Sequence, residues 1–71
     1  MLIRIIYKLR TVKDNFYHYD TILDIIQPYD FPLPNENDHI NLSGKTYRVQ
    51  YKEFELNKQN GIIDVIKIIM T

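Results

Sequence analysis

The chain has 71 residues, with nine Lys and Arg balanced by nine Asp and Glu, two histidines, two glycines and no cysteine. One domain of this length buries only about 60% of the surface its unfolded chain exposes, so its margin of stability is slender. Disulfides and thiolate metal sites are excluded by the missing cysteine, a histidine-built metal cage by the two histidines, and a glycine-rich phosphate loop by the two glycines.

The neutral total conceals an uneven distribution. Residues 1–13 carry Arg4, Lys8, Arg10 and Lys13 and no acid, whereas residues 14–38 carry Asp14, Asp20, Asp24, Asp30, Glu36 and Asp38 and no Lys or Arg. An asymmetry of this kind bears on partners more than on fold, although the two segments can also neutralise one another as solvated faces. The apolar residues of the N-terminus only alternate, unlike the unbroken core of a signal peptide, and no run approaches the length of a membrane span. A cytoplasmic location is the expectation.

In chain order, "MLIRIIYKLRT" has period two. Ile3, Ile5, Tyr7 and Leu9 share one side and Arg4, Ile6, Lys8 and Arg10 the other, as in a strand with an apolar and a basic face. "VKDN" is a turn, and "FYHYDTI" suits a returning strand because aromatic residues favour a pleated surface. In "DTILDIIQP", Ile22, Ile25 and Ile26 stand at helical spacing before Pro28, so a short helical turn is expected near residues 20–27, with continuation of the strand as its rival.

"PYDFPLP" cannot be a regular interior element, since Pro28, Pro32 and Pro34 lack amide donors; it should run extended or cross an open barrel end. "HINL" is a short strand, "SGK" a tight turn, and "TYRVQYKEFEL" a longer strand. Its apolar phase slips between Tyr51 and Phe54, which calls for a bulge near Lys52–Glu53. Asn60-Gly61 marks a reversal into the last strand, "IIDVIKIIM". The expected fold is all-β: a single small five-strand antiparallel barrel or meander with one helical turn.

The last strand carries Ile62, Ile66, Ile68 and Met70 on one parity and Ile63, Val65 and Ile69 on the other. Strands apolar on both faces are normally covered on both faces. Either the "DTILDIIQP" segment packs there or a second copy of the chain does; the second copy is the favoured cover, with Ile62, Ile66, Ile68 and Met70 at the interface of a homo-oligomer.

No catalytic motif is present, and Ser43 with His18 or His39 reads as an ordinary turn serine, so no enzyme activity, metal or cofactor is expected. The stronger constellation is basic: Arg4, Lys8 and Arg10 on the first strand with Arg48 and Lys52 on the long central one. If those strands are neighbours, their cations can hold phosphates while Tyr17, His18 and Tyr19 stack a base. The plain alternative is the wet side of a half-buried sheet. A second surface is the loop bearing Tyr29, Phe31, Pro32 and Pro34, which with the acidic segment could contact a host protein or cap the barrel. Binding of single-stranded nucleic acid is a third reading, which zero net charge disfavours.

Pro32, Pro34, Asn37, Asp38, Ile40, Leu42, Gly44, Lys45, Tyr47 and Val49 form a pattern, P-x-P…N-D-x-I-x-L-x-G-K-x-Y-x-V, that resembles very small SH3-like β-barrel proteins of phages, prophages and mobile elements of low-GC bacteria. The resemblance covers roughly residues 32–69. It implies a small barrel in the host cytoplasm and, for some such proteins, counter-defence by sequestering a nucleotide signal or blocking a defence protein. It carries no catalytic residue.

Overall fold

The computed structural model describes all residues, 1–71. Five strands follow one another: β1 (Leu2–Lys13), β2 (Phe16–Pro28), β3 (His39–Leu42), β4 (Lys45–Leu56) and β5 (Ile63–Met70). They form one curled sheet in the order β2-β1-β5-β4-β3. The edges β2 and β3 do not meet, so the sheet is a half-barrel and not a closed one.

Two expectations are corrected. The sheet is mixed, because β5 lies between β4 and β1, antiparallel to the first and parallel to the second. Residues 20–27 form no helical turn; β2 pairs with β1 from Phe16 to Pro28. A register shift there leaves Ile22 without a partner on β1, between Thr21 opposite Lys8 and Leu23 opposite Tyr7. That bulge moves the later isoleucines by one position, which is why Ile22, Ile25 and Ile26 imitate helical spacing.

The turns follow local chemistry. Asp14 and Asn15 (φ 55° and 67°) join β1 to β2, and Ser43 and Gly44 (φ 52° and 84°) join β3 to β4. Two successive positive-φ residues give the hairpin twist that matches the strands. Asn41 Oδ1 accepts a 3.2 Å hydrogen bond from the Gly44 amide. Between β4 and β5, Asn60 Oδ1 accepts from the Ile62 amide at 2.9 Å, while Gly61 has φ 70°.

Directly paired residues share a face. The inner face collects Ile3, Ile5, Tyr7, Val49, Ile66, Ile68 and Met70 in one buried cluster, edged by Leu23, Ile25, Ile40, Leu42 and Tyr47. Residues 29–38 cross this face from one sheet edge to the other, and Leu33 packs on the cluster. The loop is pinned by backbone: the Asn37 amide donates to the Val49 carbonyl at 2.8 Å, and the Val49 amide to the Asp38 carbonyl at 2.9 Å. The proline loop is therefore a lid, although Tyr29 and Phe31 remain exposed.

The central position of β5 explains its composition. Ile66, Ile68 and Met70 lie in the chain's own core, and of the four residues expected at an oligomer interface only Ile62 is exposed (38%). On the outer face Ile69 is only 2% exposed, hidden by side chains of the same chain. At the centre of the parallel β1/β5 pair the outer-face residues Ile6 and Ile69 are thus buried within the chain, as parallel strands usually require, while Arg4 is exposed and Val65 half-buried.

Candidate functional site on the outer face

Along β1 the outer face presents Arg4, Ile6, Lys8, Arg10 and Val12. The pairing sets Val65, Lys67 and Ile69 beside Arg4, Ile6 and Lys8 on one flank, and Ile26, Asp24, Thr21, Tyr19 and Tyr17 on the other. From β4 come Tyr51, Glu53 and Glu55, opposite Ile69, Lys67 and Val65. At the centre, Lys8, Tyr19, Tyr51, Glu53, Lys67 and Ile69 line an open cavity of about 250 Å³.

Tyr19 on β2 and Tyr51 on β4 reach over the two intervening strands towards one another, and Ile69 forms the floor between them. The Tyr51 phenol is held above its ordinary value, first by its polar contact with the Tyr19 hydroxyl and then by loss of solvent; Arg10 pulls the other way. The position of Tyr51 corrects the expected bulge. The slip in β4 falls between Val49 and Tyr51, earlier than Lys52–Glu53, so Tyr51 leaves the apolar phase of Tyr47 and Val49 and turns outward.

Some of the cations are already engaged. Arg4 grips Asp24 with two hydrogen bonds, Nε to Oδ1 at 2.9 Å and Nη2 to Oδ2 at 2.5 Å. That contact holds the Asp24 carboxyl below its usual range and raises Arg4. Lys67 Nζ lies 2.6 Å from Glu55 Oε1, which lowers Glu55 and raises Lys67. Arg10 stacks on the Tyr17 ring, 4.7 Å from its centroid. Lys8, in the cavity wall, has no carboxylate within ion-pair distance.

The expected group is therefore split. Arg4, Lys8, Arg10, Tyr17 and Tyr19 share the outer face. His18 pairs with Thr11 and falls on the opposite face. Lys52 pairs with Ile68 on the inner side, where its Nζ donates to Asn35 Oδ1 of the lid at 3.3 Å. Arg48, between the inner-face residues Tyr47 and Val49, is on the outer face, but its backbone pairs with Thr71 beyond the end of β5, and β5 separates β4 from β1. The condition that the first strand neighbours the long central one is not met.

Sequence reasoning missed Tyr51, Glu53, Lys67 and Ile69. A signal existed for Lys67, the charge interrupting the apolar parity of Ile63, Val65 and Ile69, but none for Tyr51, whose face depends on where the bulge falls. Comparison with protein-family models, curated proteins and solved structures finds no match to the chain. No helix is long and apolar enough to cross a membrane.

Proposed function

We propose that the protein is a non-enzymatic binding protein whose outer-face cavity takes a small anionic ligand of nucleotide type. The observation that carries this reading is the convergence of two phenols and two ammonium groups on one cavity, with Lys8 lacking an acid partner. Lys8 and Arg10 would meet phosphate oxygens, and a base would lie against the Tyr19 and Tyr51 rings, which offer π-faces to any base. The Glu53 carboxylate, an acceptor at the rim, would take a ribose hydroxyl or an exocyclic amine. Sequestration of a nucleotide signal, the role suggested by the resemblance to small phage barrels, is the physiological form this reading takes.

A thermal-shift screen against linear and cyclic nucleotides tests it. A ligand at 100 times its Kd adds about 2.7 kcal/mol, a shift on the order of 10 °C for a domain this small. Lys8→Ala should abolish the shift, whereas Lys52→Ala, on the opposite face, should leave it intact. No response across the panel, or equal loss in both variants, overturns the proposal.

One observation favours a second reading, an inhibitor or adaptor acting through the lid. Leu33 anchors the loop while Tyr29 and Phe31 stay 44% and 45% exposed. Host-protein capture that survives Tyr29→Ala with Phe31→Ala would remove its basis. For single-stranded nucleic acid the arrangement is poorer, because Asp24, Glu53 and Glu55 interleave with the cations that would have to follow a phosphate chain.

A further inference from the structure

The two sheet edges are unlike. β3 is a four-residue edge, short enough to be protected by its length, whereas β2 runs for 13 residues with nothing paired to its outer side. Long edges are usually guarded by lysine, by proline or by a bulge. β2 has no Lys or Arg, and its one proline is the terminal Pro28. Besides the carboxylates of Asp20 and Asp24, its guard is the bulge at Ile22, which leaves Phe16–Thr21 as an uninterrupted open edge.

This stretch also projects. β5 pairs with β1 only as far as Leu9, so Arg10–Lys13 and their partners Phe16–Tyr19 form a two-stranded arm beyond the rest of the sheet. Phe16 and Tyr17 are exposed on opposite faces of the arm. The molecule has a radius of gyration of 13.0 Å, where a compact chain of this length would have about 11 Å. A free two-stranded ribbon is marginal in water, and a third strand is what it lacks.

Hairpin geometry fixes which groups are open. The two-residue turn makes Lys13–Phe16 the closing hydrogen-bonded pair, and alternation then turns the amides and carbonyls of Tyr17, Tyr19 and Thr21 away from β1. Charge selects the occupant. Of the acids around this edge, Asp24 is held by Arg4, but Asp14, Asp20 and Asp30 make no ion pair, and no Lys or Arg occurs between residues 14 and 38. A second copy pairing β2 to β2 would bring a second Asp14 and Asp20 and no further Lys or Arg on β2 to this edge.

We propose that the β2 edge at Phe16–Thr21 is a strand-addition site for an extended basic segment of a partner protein. The added strand would bond the backbone of Tyr17, Tyr19 and Thr21 and place its lysines or arginines near Asp14 and Asp20. The site shares Tyr19 with the outer-face cavity, but it uses the Tyr19 backbone where the cavity uses its ring, and it needs no side chain of Lys8, so a Lys8→Ala protein retains it.

Titration of the isotopically labelled full chain with two peptides, alternating Lys-Val and alternating Glu-Val, followed by NMR, tests the proposal. The Lys-Val peptide should perturb the Tyr17, Tyr19 and Thr21 amides and bind on the order of tenfold more tightly than Glu-Val. Thr21→Pro removes an outward amide without breaking a β1–β2 bond, and should abolish binding. If that variant does not fold, Asp20→Lys carries the test by reversing the preference. Equal binding of both peptides, no perturbation of the edge amides, or edge protection by self-association without peptide each overturns the proposal.

Discussion

Replacing Ile68 and Ile69 by alanine, one at a time, separates the two ways in which β5 is covered. Each substitution removes three carbon groups, and at about 0.8 kcal/mol apiece the transfer loss is about 2.4 kcal/mol. Ile68 is 0% exposed and enclosed by Val49 and Met70, themselves fully buried, under a lid pinned through its backbone. Such a site collapses poorly, so a cavity penalty adds and the cost should approach about 4 kcal/mol, high in the range for buried large-to-small changes. Ile69 is equally hidden, but by the rings of Tyr19 and Tyr51 and the stems of Lys8 and Lys67. These long side chains can settle into the space, leaving a cost near the transfer loss alone, about 2 kcal/mol.

The whole domain is expected to be worth about 4–10 kcal/mol, so Ile68→Ala should bring it close to unfolding. Urea denaturation followed by circular dichroism measures both variants. With a slope of about 1 kcal/mol/M, the midpoint should fall by about 2 M for Ile69→Ala and about twice that for Ile68→Ala. Neither midpoint should move when protein concentration changes tenfold, because both isoleucines are covered within one chain. An Ile69→Ala cost equal to or above that of Ile68→Ala, or a midpoint that rises with concentration, would refute the assignment of inner and outer cover.

Ser43→Asn should stabilise, since serine holds φ 52° there and asparagine tolerates the left-handed region better. The urea midpoint should rise by the equivalent of about 0.5 kcal/mol; a fall would mean that the turn is held by something other than its backbone geometry. At high pH, burial keeps the Tyr7 phenol above its ordinary value. A raised value means that the folded state holds the proton more tightly. This contribution is therefore complete below about pH 10 and is lost as pH rises through the folded value. Ultraviolet titration should show late phenols, those of Tyr7 and Tyr51, of which one is lost in Tyr7→Phe; an unchanged curve would contradict the burial.

The alternation in β1, the Asp14–Asn15 turn and the reversal at Asn60-Gly61 could all be read from sequence, because each depends on neighbouring residues. The insertion of β5 between β1 and β4 could not, since it is decided by which distant strands pair. Its trace was present in the doubled isoleucines Ile5-Ile6 and Ile68-Ile69, which mark the parallel centre. Bulges account for the other errors. One unpaired residue at Ile22 made a strand resemble a helix, and a slip before Tyr51 hid a wall of the cavity. Of that cavity, Lys8 and Tyr19 were legible because regular alternation carried them, whereas Tyr51 and Lys67 required the register.

The third place of β5 in the sheet also governs how the molecule assembles. During synthesis the β1–β2 and β3–β4 hairpins emerge as two ribbons with little to hold them together, each marginal alone. Only when the final strand slots between them does either ribbon acquire its permanent neighbour. Such a keystone, joined to its parallel partner across nearly the whole chain, predicts slow, all-at-once folding and an interval in which the nascent protein is open to chaperones and proteases.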